Sequence, residues 1–303
     1  MSGTRAAPVH RLQAGDRVLE LGARPLLMGI VNASPDSFSD GGRHATPDAR
    51  VALAAQLLEA GAAIIDVGGE SATTGRPPVE IEQEIERVAP LVRRIAGELG
   101  ALVSVDTYKP AVARAAIAAG AGIVNDVSGL RNPELATVCA ETGAALVVMH
   151  TRAAPRERLQ DPDLYGDVTG DVLAFLRERI ALARAAGVGE EQLIVDPGPD
   201  FAKTPAQTIR LLGEVERLHE LGRPLLIAIS RKDFVGALTG RAPRERLAGT
   251  LAALAHGLDA GAQLFRVHDV AAAADFIAVR DALSGATQPS ERLALADELR
   301  HER

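Results

Sequence analysis

The chain has 303 residues, a formal net charge of -7 and 47% hydrophobic residues, with no tryptophan and only 3% aromatic residues. That content is enough for one large core built from Leu, Val, Ile and Ala. The mild acidity, without any run of basic residues, argues against a nucleic-acid or membrane-surface binding protein. No segment has the apolar length of a membrane span, and residues 1–13 lack the hydrophobic stretch of a signal peptide. We therefore expect a cytoplasmic protein with neither a nucleic acid nor a membrane as its partner.

Cys139 is the only cysteine, which rules out an internal disulfide and a cysteine-based zinc site. It lies among apolar residues of a predicted helix, so we interpret it as part of the core and not as a nucleophile. A lone cysteine also fits a reducing compartment.

The chain opens with residues 1–24, in which a short alternating segment over residues 17–22 predicts a small hairpin. The first strand of the main fold follows as a continuous apolar run over residues 26–31. That run ends at Asn32, whose side chain can bind a ligand or a metal.

The segment after this strand is polar and reads Asn32-Ala-Ser-Pro-Asp-Ser-Phe-Ser-Asp-Gly-Gly42. Phe38 has no evident place to be buried among these turn residues, and it is flanked by the carboxylates Asp36 and Asp40. Such a loop on a rigid strand end is typical of a lid that closes over a ligand. An ordinary connection in which Phe38 packs locally is the alternative.

Helix-to-strand units then repeat along the chain. Thr46-Pro47-Asp48 has the capping hydroxyl, the N1 proline and the first-turn acid of a helix start, and Gly61 ends that helix before an apolar strand. A glycine precedes an apolar run at six further places, so seven junctions imply eight strands. The strands predicted after the first include residues 62–67, 102–105, 123–124, 146–149, 193–195, 225–229 and 264–267.

Eight continuously apolar strands that alternate with helices, the last helix ending near Gly285, predict an α/β fold, a TIM (β/α)8 barrel. An open doubly wound sheet is the alternative, but no G-x-G-x-x-G follows any strand. We expect an N-terminal hairpin extension over residues 1–24 that caps the bottom of the barrel. The barrel itself would span residues 25–285, and a charged C-terminal tail would span residues 286–303.

Polar side chains occur where every predicted strand ends, which is the edge at which barrels place their active sites. Asp and Asn are poor strand residues, so the repetition favours one functional site over eight independent caps. The strand ends carry Asn32, Asp66, Asp106, Asn125, His150, Asp196, Lys232, and Arg266 with His268.

Two chemical groups are recognisable in this set. The first suits a heterocycle edge with N–H donors and consists of Asp106, Asn125 and Asp196. The second is cationic, comes from the last two strands, and consists of Lys232, Arg266 and His268. One pocket would therefore hold an N-heterocycle beside an anion, and Asn32 would share Mg²⁺ with that anion.

With these residues in place, the sequence resembles the dihydropteroate synthases, a family of pterin-binding barrels, over about residues 24–285. The order and spacing of the matching segments make the resemblance specific. Besides the loop that starts at Asn32, the segments are Gly68-Gly-Glu-Ser71, Ser104-Val-Asp-Thr107, Asn125-Asp-Val-Ser-Gly129, Val148-Met-His150, Asp196-Pro-Gly198, Ser230-Arg-Lys232 and Arg266-Val-His268.

The resemblance implies condensation of 6-hydroxymethyl-7,8-dihydropterin pyrophosphate with p-aminobenzoate in folate biosynthesis, with release of pyrophosphate, by a homodimeric transferase of the kind that sulfonamides target. The pterin-binding residues that it implies are Asp106, Asn125, Met149, Asp196 and Lys232. The pyrophosphate-binding residues are Asn32, Arg266 and His268, with Asn32 also on Mg²⁺. The p-aminobenzoate-binding residues are Phe38, Phe201 and Asp233. The residues implied in catalysis are Asp36, Asp40, Lys232, Arg266 and His268.

The sequence departs from the family pattern in three segments. Thr73 stands where the second loop of the family has an arginine, and Arg76 is the nearest replacement. Asp200 and Ala202 stand where the family has glycines. Asp233 replaces a serine that contacts the p-aminobenzoate carboxylate, so it would either repel that carboxylate or turn away to cap the next helix.

Two other functions share the predicted pterin pocket. A non-catalytic homologue would bind pterin without using p-aminobenzoate, and Thr73 and Asp233 motivate that reading. A corrinoid-linked methyltransferase would have the acidic pocket but no cationic clamp, so Lys232 and Arg266 disfavour it.

Overall fold

The computed structural model describes residues 8–22, 24–34, 46–70 and 78–300. Eight strands form one parallel sheet. They are β3 (Leu26–Asn32), β4 (Ala62–Gly68), β5 (Leu102–Asp106), β6 (Ala121–Asp126), β7 (Ala145–Met149), β8 (Leu193–Asp196), β9 (Leu226–Ile227) and β10 (Leu264–Val267), after the hairpin strands β1 (His10–Ala14) and β2 (Arg17–Leu21).

Helices follow the strands of the large sheet in alternation. The described helices are α1 (Pro47–Glu59), α2 (Ile81–Leu99), α3 (Pro110–Ala118), α4 (Glu134–Thr142), α5 (Val168–Ala185), α6 (Pro205–Gly213), α7 (Asp233–Thr239), α8 (Leu247–Asp259) and α9 (Val270–Ser284). Among the residues described, none of these helices combines the length and apolarity needed to cross a bilayer.

The sheet closes on itself. Strands adjacent in the chain pair in parallel from β3 to β8, and β10 pairs with both β3 and β9. A parallel bridge between Val195 and Leu225 joins β8 to the start of β9. The predicted (β/α)8 barrel with a short N-terminal hairpin is therefore confirmed, and the open sheet is excluded.

Local signals place the helix starts as the sequence predicted. Thr46 caps α1, since its hydroxyl accepts a 3.2 Å hydrogen bond from the backbone N–H of Ala49, and Pro47 is the first helical residue. Two details differ from the prediction. β9 is shorter than residues 225–229 because the chain turns into the Ser230 loop, and α7 is a short additional helix before α8.

The hairpin seals the end of the barrel opposite the predicted site. Leu12 and Leu21 are buried in one cluster with inward-facing strand residues such as Met28 and Ile64. The backbone N–H of Gly15 donates to the carbonyl of Gly143, just before β7, at 2.9 Å. Access to the barrel interior is thus confined to the carboxyl ends of the strands.

The outer layer packs helices against the barrel and includes Cys139, which is fully buried. Burial raises the pKa of the Cys139 thiol to about 12, so the thiol is protonated and unreactive at neutral pH, as the core interpretation requires. At the other end of the chain, α9 stops at Ser284, and residues 288–300 are exposed.

Candidate active site

Arg266 joins the basic and acidic groups of the site directly. From the middle of β10 its Nε donates to Asp66 Oδ2 at 2.6 Å, and its Nη2 donates to Asp106 Oδ2 at 2.9 Å. The Asp66 side chain has no exposed surface, and those of Asp106 and Arg266 are each only 21% exposed. Such an enclosed ion-pair network fixes the direction of each group, because breaking it would leave a charge buried and unpaired.

These contacts shift the proton affinities of the pair. Burial raises the pKa of Asp106 to about 7, with Asp66 adding to the rise and Arg266 opposing it. Burial lowers the pKa of Arg266, but Asp66 and Asp106 outweigh it and hold that pKa above its ordinary value. Asp106 therefore changes charge near neutral pH while Arg266 stays cationic.

Asp66 is a positioning residue, which the sequence analysis counted among the strand-end polar residues without assigning it a specific role. Besides holding Arg266, its Oδ2 accepts a 3.3 Å hydrogen bond from Asn125 Nδ2. One carboxylate thus orients a residue predicted to bind pyrophosphate and a residue predicted to bind pterin. The available signal was a charged residue between Ile65 and Val67 in an apolar strand, which is costly unless it is paired.

Asp196 ends β8 beside Met149, which ends β7 in register with it. Asp196 Oδ1 accepts a 2.7 Å hydrogen bond from the Gly198 N–H. Burial raises the pKa of Asp196 to about 6, against the effects of that hydrogen bond and of the cations Lys232 and Arg266. Gly198 has φ +63°, and a Cβ there would lie 2.1 Å from the His150 carbonyl, so only glycine allows this turn.

Lys232 and Phe201 meet across neighbouring loops. Lys232 Nζ lies 4.4 Å from the centroid of the Phe201 ring, which is a cation–π distance. Burial lowers the pKa of Lys232, while Asp200 and Asp196 counteract this. The aromatic ring predicted to contact p-aminobenzoate is thereby held beside the amine predicted to contact pterin.

The two residues that replace family glycines adopt glycine-like backbones. Asp200 has φ +65° and Ala202 has φ +52°, both in the left-handed region. A side-chain hydrogen bond offsets the cost of the left-handed backbone at Asp200. Asp200 Oδ2 accepts this 2.5 Å hydrogen bond from the N–H of Asp233 at the start of α7. The strained loop and the Lys232 loop are thus connected.

Asp233 does not cap α7, and that prediction is wrong. The backbone N–H of Asp233 donates a hydrogen bond to the Asp200 carboxylate. The Asp233 carboxylate itself lies 3.1 Å from Arg246 Nη1. Arg246 Nη1 also donates to the carbonyls of Arg231 at 2.9 Å and Lys232 at 3.1 Å. The Asp233 side chain is 60% exposed and its charge is balanced by Arg246, which weakens the repulsion of a second carboxylate.

His268 is a neutral side chain and not the cation that the sequence predicted. Burial, together with the nearby cations Arg231, Arg266 and Lys232, lowers the pKa of His268 to about 3. Its Nδ1 lies 3.0 Å from Ser230 Oγ, which also accepts a hydrogen bond from the His268 N–H at 3.2 Å. If Ser230 donates its hydroxyl proton to Nδ1, the Nε2–H remains as a hydrogen-bond donor.

A fully buried lysine supports the Asp196 loop from below, and the sequence held no signal for it. Lys203 Nζ contacts His150 Nδ1 at 2.8 Å, the Gly198 carbonyl at 2.9 Å and the Phe201 carbonyl at 3.0 Å. His150 Nε2 in turn lies 3.2 Å from Asp171 Oδ1. The three acceptors match the three protons of an ammonium group, and burial lowers the pKa of Lys203 to about 7. His150, predicted as a strand-end site residue, is therefore part of this support.

The family model of the pterin-binding enzymes matches residues 28–268 of the chain. The dihydropteroate synthase of Synechocystis is 41% identical over 274 residues, which are 90% of this chain and 94% of that protein. The chain belongs to the dihydropteroate synthase family.

Two solved structures of that family carry ligands. The Xanthomonas albilineans dihydropteroate synthase with 4-aminobenzoic acid superposes with a TM-score of 0.83 and 44% identity, over 91% of this chain and 98% of that chain. The same enzyme in complex with 7,8-dihydropteroate gives a TM-score of 0.79 and 43% identity, over 90% and 98% of the two chains.

The ends of the second family loop are anchored by a buried charge cluster. Glu70 accepts from Lys109 at 2.7 Å and from Arg156 at 2.8 Å, and Lys109 also contacts Glu84 at 2.6 Å. The Val79 N–H donates to Glu70 at 3.2 Å, so both ends of the loop are tied to one carboxylate. The site residues predicted on the first two loops lie outside the described residues; they are Asp36, Phe38, Asp40, Thr73 and Arg76.

The described residues offer Mg²⁺ few protein ligands. Within residues 8–22, 24–34, 46–70 and 78–300, no three His, Cys, Asp or Glu side chains form a group that would hold a metal ion. Asn32 ends β3 and supplies one amide oxygen. This donor set fits a Mg²⁺ ion that takes most of its ligands from substrate phosphates and water.

Proposed function

We propose that this protein catalyses the dihydropteroate synthase reaction of folate biosynthesis, in which 6-hydroxymethyl-7,8-dihydropterin pyrophosphate and p-aminobenzoate give 7,8-dihydropteroate and pyrophosphate. The observation that carries the proposal is the contact of Arg266 with Asp66 and Asp106, on the same barrel edge as Asp196 and Lys232. Groups for a heterocycle and groups for an anionic leaving group thus belong to one site.

The carboxylates would bind the pterin end of the substrate. Asp106 and Asp196 would accept hydrogen bonds from the N–H donors of the aminopyrimidine edge, and Asn125 would bind beside them. Met149 would pack against the ring face, and Lys232 would donate to the pterin carbonyl oxygen. The Asp196 side chain is buried and that of Asp106 is only 21% exposed, so an unmet N–H partner would cost binding free energy.

The cationic end would stabilise the leaving group. The amine nitrogen of p-aminobenzoate attacks the pterin methylene carbon, the bond from that carbon to pyrophosphate oxygen breaks, and the nitrogen then loses a proton. Negative charge grows on pyrophosphate as this bond breaks, so Arg266 stabilises the transition state more than the ground state. Neutral His268 would contribute a hydrogen bond from Nε2–H, and no covalent enzyme nucleophile is needed.

Asn32 would hold Mg²⁺ together with the pyrophosphate oxygens, where the ion supplies charge neutralisation. Phe201 would contact the p-aminobenzoate ring, with Phe38 of the first loop as its predicted counterpart. Asp36 and Asp40 of that loop remain predicted catalytic residues. The Asp233 carboxylate, predicted to contact p-aminobenzoate, would not do so directly, because it is 60% exposed and paired with Arg246. Sulfonamides, as analogues of p-aminobenzoate, would compete for this part of the site.

The deciding experiment measures pyrophosphate release by the purified protein with Mg²⁺. We expect release only when the pterin pyrophosphate and p-aminobenzoate are both present, with dihydropteroate formed in equal amount. Saturable pterin binding without turnover would favour the non-catalytic homologue. Absence of pterin binding would reject both.

A homodimer in the cytoplasm completes the proposal. Large apolar side chains are exposed on the helices of the C-terminal half, with Leu238 on α7 at 69% and Val279 and Leu283 on α9 at 60% and 84%. Exposed apolar surface of this kind favours association. Light scattering of the purified protein would show a mass of twice the chain.

A further inference from the structure

A cationic cavity lies outside the proposed pterin site. It has a volume of about 190 Å³ and sits between the loops that follow β6 and β7 and the outer helix α5. Its walls include Ser128, Arg131, Thr151, Arg152, Phe175 and Arg179. None of these residues was assigned a role in the transfer reaction.

Arg179 presents hydrogen-bond donors to this cavity without using them elsewhere. Its guanidinium carbon lies 4.8 Å from the Phe175 ring centroid, a stacking contact that leaves the N–H groups available. Its Nε is buried, and within the described part of the chain it has no hydrogen-bond partner. The Glu178 carboxylate is 3.6 Å away and 65% exposed, and the buried Asp126 carboxylate, which interacts electrostatically with Arg179, already accepts hydrogen bonds from the N–H groups of Ser128 and Leu130. A buried donor without an acceptor is costly unless a ligand supplies one.

Arg131 brings a second positive charge that is largely uncompensated. Its Nη2 donates to the Arg152 carbonyl at 3.1 Å, and the described residues provide no carboxylate for it. Arg152 differs, because its Nε and Nη2 both bind Asp171. Two guanidinium groups, Arg131 and Arg179, therefore face one cavity as like charges. An anion between them would replace repulsion by attraction.

The cavity is separate from the pyrophosphate clamp. Phe175 packs edge-on against His150, with ring centroids 4.9 Å apart, and His150 is buried between this wall and Lys203. Arg266 and Lys232 are not among its lining residues. An anion bound here would not contact the reacting atoms.

We propose that this cavity is a binding site for a phosphate dianion, either free inorganic phosphate or a small phosphate monoester. Two guanidinium forks match the several acceptor oxygens of phosphate. The Ser128 hydroxyl, which accepts a hydrogen bond from the Arg131 N–H, adds a short-range donor, and the Phe175 ring provides an apolar wall for an ester group. The proposal does not depend on the proposed transfer reaction.

The test is an isothermal titration of the full chain with inorganic phosphate and, separately, with glycerol phosphate at low ionic strength. We expect Arg179→Met and Arg131→Met each to bind one phosphate fewer than the wild-type chain, or to bind it at least about tenfold more weakly. Arg177→Met is the matched control, since Arg177 lies on the same helix but pairs with Glu220 and does not line the cavity. Thermal unfolding of each variant establishes that it is folded.

The outcomes separate the possibilities. Tighter binding of glycerol phosphate would identify an ester as the ligand, and tighter binding of inorganic phosphate would identify the free anion. Equal phosphate binding by the wild-type chain and both cavity variants would overturn the proposal, as would the absence of any phosphate binding by the wild-type chain. Because the titration contains no pterin or p-aminobenzoate, failure of the transfer reaction would leave its result unchanged.

Discussion

The acid limb of the pH–rate profile tests the proposed role of Asp106. In the proposed site the Asp106 carboxylate would bind the pterin, so we expect activity to be lost as the pH falls through its folded pKa of about 7. Asp196, with a pKa of about 6, protonates at lower pH and does not set this limb. Asp66→Asn removes a negative neighbour that raises the pKa of Asp106, so the limb should move to lower pH. Arg266→Gln removes the cation that lowers it, so the limb should move to higher pH.

The expected size of each shift follows from the geometry. The Arg266 guanidinium contacts Asp106 at 2.9 Å and Asp66 at 2.6 Å. Arg266 is therefore in direct contact with Asp106, and Asp66 is separated from Asp106 by that guanidinium alone. A change of about one pH unit corresponds to about 1.4 kcal/mol, which is reasonable for partly enclosed charges at this separation. Arg266→Gln should in addition lower kcat/KM on the order of 100-fold, because the leaving group loses a fixed cation.

The assay is kcat/KM for the pterin pyrophosphate between about pH 5 and 9, supplemented by equilibrium pterin binding for the slower variant. Asp48→Asn is the control, since the Asp48 side chain is 88% exposed on α1 and pairs with Arg94. Movement of the limb in the same direction in both site variants would show that Asp106 is not the titrating group. An unchanged limb in both would refute the charge network as its cause.

Three further predictions concern the loops and the metal. Asp200→Ala should lower the free energy of unfolding, measured in urea, by about 2 kcal/mol, and Asp200→Gly should lower it by less than about 1 kcal/mol. Both variants lose the hydrogen bond to the Asp233 N–H, but glycine also relieves the left-handed backbone strain at position 200. Equal losses of stability in the two variants would contradict that strain. Arg246→Met should raise the KM for p-aminobenzoate by about tenfold, since two loop carbonyls and Asp233 lose their partner, whereas Asp233→Ser should change it by less than about threefold. Chelation with EDTA should reduce turnover and Mg²⁺ should restore it, so turnover insensitive to the chelator would reject the assignment of Mg²⁺.

Much of the fold was readable because its signals are local. Thr46 and Pro47 define a helix start whatever the tertiary context, and Gly61 and Gly143 punctuate the chain before buried strands. A strand buried on both faces must be continuously apolar, so the barrel strands could be counted. The short β9 could not be predicted, because its length depends on where the Ser230 loop leaves the neighbouring strand. The division into residues 1–24, 25–285 and 286–303 stays a prediction.

The sequence by itself determined which side chains reach the active edge, since polar residues at the ends of parallel strands must meet there. Only the tertiary structure decided what each residue contacts and which charge it carries. His268 is neutral because burial and the surrounding cations disfavour its protonation. The backbone N–H at the start of α7 donates to Asp200, so the Asp233 carboxylate is not needed as a cap. Lys203 and Asp66 act through partners 53 and 200 residues away in the chain, and electrostatic interactions depend on distance in space, which no local pattern encodes.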